Sequence, residues 1–338
     1  MKTNVERSFN VPETVTLEVS AEAADAMRDT LRYAPDPNAD VERAIAMGVS
    51  AVASNLEPAA LQTLIEFASN PEAPGVAVIS GLPVDVFLGR TPEFGEPSRE
   101  KATHVTEAVH LGFMTFFGRI YAFDREKGGR PVHEIVPQRL KQDSYSNAGS
   151  KRKLGIHTEA AALGDASPEF LSLYGLRQDH EKQAYTYTAD IRDALLYLDS
   201  TTIESLRGAN FDLEVPESFA ENGVDMTIRT AVVSGPEATP QLVVNMDRMK
   251  GITPKAIEAL EALKAAFERE EVLRQTKIRA GDLVIIANRR AGHGRSTFTP
   301  RFDGYDRWLQ RTYVTPTLWP LRSRADRSYR VLSVHDDE

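Results

Sequence analysis

The sequence predicts an α+β fold, with helices gathered in front and a sandwich or jelly roll of short strands behind. Three observations carry this reading. Apolar residues recur at helical spacing through residues 21–68, punctuated by Pro35, Pro37 and Pro71. From Val132 onward they cluster instead in short β-branched or alternating runs. One strongly helical stretch, opened by Thr253-Pro254, interrupts those runs.

Taken in order, Val15, Leu17 and Val19 alternate and suggest a first strand. Helices are expected over residues 21–33, 40–52 and 57–68. GVAVIS, residues 75–80, reads as a strand. Residues 98–117 read as a long helix with Val105, Val109 and Phe113 on one face. This front part should pack against the outside of a sheet. Strands are then expected over residues 132–136, 170–176, 184–189, 226–233, 241–244, 282–287 and 308–314. Thr253 is an N-cap followed by Pro at the first helical position, and Ile257, Leu260, Leu263 and Phe267 give that helix an apolar face. The polar loop of residues 141–153 suits either an active-site lid or a plain surface connection. No internal repeat is evident.

The bulk properties narrow the class. The chain has 338 residues, 41% hydrophobic and 26% charged, as an ordinary globular protein has. It is expected to form one domain over residues 1–338: a helical part (1–74), a catalytic core (75–315) and a tail (316–338). The net charge of −9 offers no basic surface for a nucleic-acid partner. With no cysteine there is no disulfide, thiolate metal site or cysteine nucleophile. MKTNVERSFNVPET at the N-terminus lacks the apolar region of a secretory signal. No apolar run approaches the roughly 20 residues of a membrane helix. A cytoplasmic protein, monomer or homodimer, with no membrane partner, is expected.

The chemistry centres on His157-Thr158-Glu159. On a strand, residues two apart project from one face, so His157 and Glu159 can converge on one ion. His293, in the Gly-flanked turn expected after the strand of residues 282–287, is placed to be the third ligand. Two imidazoles and one carboxylate with open positions are the facial triad of non-haem Fe(II) oxygenases. Zinc sites use the same donors. His104, His110, His180 and His335 read as surface or packing residues.

Three segments then resemble clavaminate synthase and its relatives: LGIHTEAA from Leu154, DHEKQAYTYTADIRDAL from Asp179 and HGRSTFTPRFDGYDRWLQRTY from His293. The resemblance spans residues 75–314. That family comprises Fe(II)/2-oxoglutarate oxygenases that hydroxylate free amino acids such as arginine, lysine and asparagine. It implies a double-stranded β-helix (jelly roll) core with flanking helices. It implies Fe(II) held by His157, Glu159 and His293, with 2-oxoglutarate and O₂ as co-substrates. Arg307, fourteen residues after His293, would bind the distal carboxylate of 2-oxoglutarate, joined by the hydroxyl of Thr186 or, with a shift of two residues, Thr188. Arg311 would hold the α-carboxylate of the substrate, and Glu159 would also accept from its α-ammonium. Taken alone, Arg307 reads first as a strand arginine in a surface ion pair, and Arg311 suits either reading.

Further contacts depart from the family pattern. Asn147 stands where relatives carry the second serine of a pair. His133 or Glu134 replaces a glutamine. Asp247 is the single acid where arginine-specific relatives have two, which suits an ammonium or neutral side chain better than a guanidinium. Taken alone, Asp247 would be a turn-former. The resemblance implies hydroxylation at C3 or C4 of a free basic or polar L-amino acid such as lysine or arginine, with succinate and CO₂ as co-products. Cyclisation or desaturation of a modified amino acid in natural-product biosynthesis is the alternative. A non-catalytic jelly-roll binding protein is the remote one. A zinc hydrolase would leave Arg307 and Thr186 without a role.

Overall fold

The computed structural model describes residues 14–216, 219 and 226–334. The N-terminal residues read above for a signal, up to residue 13, and His335 lie outside them.

The front of the chain forms β1 (Val15–Glu18), α1 (Ala21–Leu31), α2 (Val41–Asn55), α3 (Pro58–Ser69), β2 (Val76–Ser80) and α4 (Val105–Thr115). Ser20 and Asp40 cap α1 and α2 through their side chains, and Pro58 opens α3. α4 starts seven residues later than the apolar spacing suggested. Its N-terminus is set by Asp85, whose carboxylate accepts from the N–H of Val105 (3.0 Å) and of Thr106 (3.1 Å).

Next come β3 (Arg119–Phe123), β4 (His133–Ile135), β5 (Leu154–His157), β6 (Phe170–Arg177) and β7 (Thr186–Asp190). They are followed by α5 (Ile191–Leu195), α6 (Ser200–Arg207), β8 (Phe211–Glu214), β9 (Thr227–Thr230), β10 (Val233–Ser234), β11 (Gln241–Leu242) and β12 (Met249–Gly251). The chain closes with α7 (Pro254–Phe267), β13 (Arg274–Thr276), β14 (Leu283–Ala287), β15 (Ala291–Arg295), β16 (Trp308–Thr315) and β17 (Val331–Leu332). Residues 226–233, expected as one strand, divide into β9 and the start of β10.

Two sheets dominate. An eight-stranded sheet runs β1-β2-β14-β6-β16-β3-β17, with β4 also on β16. A four-stranded antiparallel sheet runs β13-β7-β15-β5. The turn of residues 288–290 carries the chain from β14 in the large sheet to β15 in the small one. Helices back both sheets. Met27, Leu64, Phe67 and Phe113 pack against Ile79 and Ile285 of the large sheet. Leu206, Leu263 and Phe267 pack with Ile156 and Ala189 of the small one. Burying each such side chain contributes about 1.5–3 kcal/mol, so the two backed layers hold the frame. Among the described residues, no helix is long and apolar enough to cross a membrane.

Candidate active site

One cavity is bounded by both sheets, with His157, Thr186 and His293 on the small sheet and Leu173, Leu309 and Arg311 on the large one. His157 ends β5, and His293 lies directly opposite it on β15. Their ring centroids are 4.2 Å apart. His293 is thus a strand residue rather than the turn residue expected. Gly292 and Gly294 permit this pairing. A Cβ on Gly292 would meet Ile156 Cγ2 at 2.5 Å, and one on Gly294 would meet the Leu154 carbonyl oxygen at 2.5 Å.

Glu159 also departs from expectation. It lies beyond the end of β5 rather than on it, and Ala160 after it adopts a left-handed conformation with φ +50°. Nevertheless, ligand atoms of His157, Glu159 and His293 all fall within 4.8 Å of one another. His157 Nδ1 donates to the Gly155 carbonyl at 3.0 Å, which leaves Nε2 as the free lone pair. Burial, then the neighbouring His293, pull the His157 pKa down to about 4, so its imidazole is neutral, as metal binding requires. Burial opposes ionisation of Glu159, but Arg311 and then His293 outweigh it and hold its carboxyl below the usual range. His293 Nε2 stands 3.7 Å from Glu159 Oε2, too far for a hydrogen bond and close enough to share an ion. The donor set fits Fe(II).

Arg307, just before β16, is buried and forms no ion pair among the described residues. Its Nη2 lies 3.4 Å from Thr186 Oγ1, and its guanidinium carbon sits 5.8 Å from the Phe298 ring. Burial, followed by nearby Arg295, lowers its pKa to about 9. A desolvated cation without a carboxylate is costly, and an anion would relieve it. Thr188 borders a separate hollow with Asp190, Asp193 and Arg274, so Thr186 is the threonine at this position.

A facial set of metal donors beside an unpaired buried guanidinium is what a 2-oxoglutarate enzyme needs. The family described as taurine catabolism dioxygenase TauD, TfdA family, matches residues 75–313. The chain belongs to this family. It is a dioxygenase that depends on Fe(II) and 2-oxoglutarate. An L-asparagine oxygenase of Streptomyces coelicolor is 36% identical over 254 residues, covering 75% of this chain and 74% of that one. An L-lysine 3-hydroxylase of Catenulispora acidiphila is 32% identical over 281 residues, covering 82% and 76%. The solved structure of an asparagine oxygenase in complex with Fe(II), 2S,3S-3-hydroxyasparagine and succinate is similar with a TM-score of 0.83 and 30% identity, covering 94% of this chain and 99% of that one.

In this dioxygenase Arg311 is the most heavily engaged cation of the cavity. Nη1 donates to Glu159 Oε2 at 2.7 Å, and Nη2 to Glu126 Oε1 at 2.5 Å. The guanidinium lies over the Tyr313 ring at 4.6 Å, and its buried Nε has no partner. Burial disfavours its charge, but Glu159, Tyr313 and Glu126 push its pKa well above the usual arginine value. Glu126 also accepts from the Tyr313 hydroxyl at 3.0 Å, and burial raises its own pKa. Glu126 was not foreseen. Its partner lies 185 residues away, and EKGG looks like an exposed turn.

Three anticipated substrate contacts are placed elsewhere. His133 is buried behind Arg311, its Nδ1 3.0 Å from Arg311 Nη2 and its ring edge-on to Tyr313. Burial, with Arg311 next, pushes its pKa well down, so it accepts as a neutral ring. Glu134, the next residue of β4, faces the opposite side, as strand alternation requires. There it accepts from Trp308 Nε1 and from Gln310 Nε2 and does not line the cavity. Asp247 is exposed, and its Oδ2 accepts from the Gly155 N–H at 2.8 Å. Asn245 and Arg248, its neighbours, line the cavity instead.

Asn147 does line it, on the loop of residues 141–153. That loop forms one wall and is gripped from β15. Arg295 donates to the carbonyls of Ser150 (3.5 Å) and Arg152 (3.3 Å). Arg248 pairs with Glu214 at 2.8 Å. Each of the lining carboxylates Glu126, Glu159 and Glu214 therefore already faces a guanidinium.

Proposed function

We propose that this dioxygenase hydroxylates a free L-amino acid with a neutral polar side chain, L-asparagine first, at an unactivated C3 or C4. One observation carries the reading. Beside the metal donors, buried Arg311 stands between Glu126 and Glu159, while no lining carboxylate is left unpaired for a cationic side chain. A zwitterion needs both signs at its α-carbon, and Arg311 with its two acids supplies them. A lysine ammonium would have to displace Arg248 from Glu214. The similarity to the L-asparagine oxygenase supports the same choice.

His157, Glu159 and His293 would hold Fe(II), which when bound supplies the oxidative chemistry that turns 2-oxoglutarate and O₂ into succinate, CO₂ and the oxygen inserted in substrate. Arg307 receives the distal carboxylate as a planar fork, and Thr186 adds a hydroxyl. Arg311, which lines the cavity, supplies the positive charge for the α-carboxylate. Glu126 and Glu159 face the α-ammonium. Asn147 and Asn245 offer amides to the side chain. Placement matters, because a displacement of about 1 Å at the reacting carbon costs roughly 100-fold in rate. The two backed sheets are read as the halves of a double-stranded β-helix, within one oxygenase domain over residues 1–338.

The test is anaerobic reconstitution with Fe(II) and 2-oxoglutarate, then air with a panel of free L-amino acids, reading succinate and product mass. Succinate coupled to an asparagine product one oxygen heavier is the expected result. Coupling only to lysine or arginine would overturn the side-chain assignment. A product lighter by two hydrogens would replace hydroxylation with desaturation or ring closure.

A further inference from the structure

Glu159 has a backbone that the sheets do not hold. β5 stops at His157, and Ala160 turns left-handed at φ +50°. Of the two residues between, Thr158 bonds to the Val244 carbonyl, while Glu159 has no strand neighbour for its own N–H and C=O, although a buried main-chain group must find partners. One side chain serves both. Asn288 Oδ1 accepts from the Glu159 N–H at 2.7 Å, and Asn288 Nδ2 donates to the Glu159 carbonyl at 3.1 Å. The same Nδ2 donates to the Pro168 carbonyl at 2.9 Å. Only one orientation of the amide works, since the reverse would set donor against donor and oxygen against two carbonyls.

The position of Asn288 matters as much as its bonds. It is 1% exposed and opens the turn that leads from β14 into β15. His293 lies five residues later on β15. The amide therefore joins the segment that bears the carboxylate to the segment that bears the second histidine. It reproduces the two-way bonding of an antiparallel pair where the sheet has run out.

We propose that Asn288 is a positioning residue for the metal centre, setting where the Glu159 carboxylate stands relative to His293. This rests on reading His157, Glu159 and His293 as the metal ligands. Without the amide, Glu159 could rotate about its unsupported backbone and follow Arg311 instead of the ion. Groups that orient metal ligands typically contribute about 10–100-fold in metal affinity.

The experiment titrates Co(II) alone into the full-length apoprotein by calorimetry and records thermal stability beside it. Wild type, Asn288→Ala, Asn288→Ser, His293→Ala and Ser172→Ala are compared. Ser172 is the control, a fully buried hydroxyl 2.6 Å from His110 Nε2 on β6 of the large sheet. Wild type should bind one Co(II), and His293→Ala should abolish binding. Asn288→Ala should bind about 10–100-fold more weakly, and Asn288→Ser should too, because a hydroxyl cannot span both backbone groups. Ser172→Ala should lose stability and keep its Co(II) affinity. Asn288 variants that lose stability yet bind Co(II) as wild type does would overturn the proposal and leave Asn288 as a core residue. If Asn288→Ala does not fold, Asn288→Ser decides. A wild type that binds no Co(II) would instead remove the metal-site reading underneath.

Discussion

Arg307 and Arg311 sit four residues apart at the same strand, face the same cavity and are both buried, yet their surroundings are opposite. Arg311 is flanked by two carboxylates and has its charge reinforced. Arg307 has a hydroxyl, an aromatic ring and another arginine nearby, and its charge is disfavoured. The contrast separates a cation already paired in the folded protein from one with no ion-pair partner among the described residues. The first should report mainly in stability, the second mainly in co-substrate affinity.

The largest effect is expected from Arg311→Met. It leaves Glu126 and Glu159 buried without their shared cation, which should lower apoprotein stability by about 3–5 kcal/mol in urea unfolding. Coupled turnover should disappear with it. A fully stable Arg311→Met protein would break the comparison. Arg307→Met comes next. Affinity for 2-oxoglutarate should fall by roughly 100-fold, about 3 kcal/mol for a buried charged contact. Its apoprotein should unfold no earlier than wild type, because burial outweighs the attraction of Asp179 and no ion pair is broken. Arg307→Lys should recover only part of the affinity, as charge without the planar fork.

The back of the same strand sharpens the comparison through pH. Glu134, bonded to Trp308 and Gln310, has its pKa raised to about 7 by burial and then by Glu107. A raised carboxyl pKa means that the folded state holds its proton more tightly than the unfolded chain. Its contribution to stability is full below the unfolded value near 4.5 and is lost as pH rises through about 7. Stability should therefore decline between these values by up to ~1.4 kcal/mol per pH unit, and Glu134→Gln should remove that part of the slope. The smallest effect belongs to the threonines. Thr186→Val should raise the KM for 2-oxoglutarate about fivefold, roughly 1 kcal/mol, while Thr188→Val leaves it unchanged.

The site was legible where its parts are local in the chain. His157 and Glu159 are two residues apart, and His293, Arg307 and Arg311 follow within one segment, so the family pattern exposes them together. The structure brings all five and Thr186 to one cavity. What stayed hidden was carried by distant pairing. Glu126 acquires meaning only from Arg311, and Asn288 only from Glu159, 129 residues earlier. The fold behaved likewise. The long apolar stretches that became α1–α3, β6 and β14 announce themselves. β12, β13 and β15 are short, polar or glycine-bearing, and tertiary pairing makes them strands. The resemblance left His133 and Glu134 as alternatives, and a three-residue strand carries too little pattern to say which of them faces inward.

The two glycines flanking His293 have a consequence for anyone seeking new products from this enzyme. Any side chain there would collide with β5 at 2.5 Å, so randomising that strand should yield little but inactive clones. The evolvable ground is at Asn147 and Arg248, which line the cavity outside β5 and β15, whereas Asn245 is bridged to His157 itself. Diversity libraries confined to those two positions would spare the strands that bear the histidines and vary only what is presented to them.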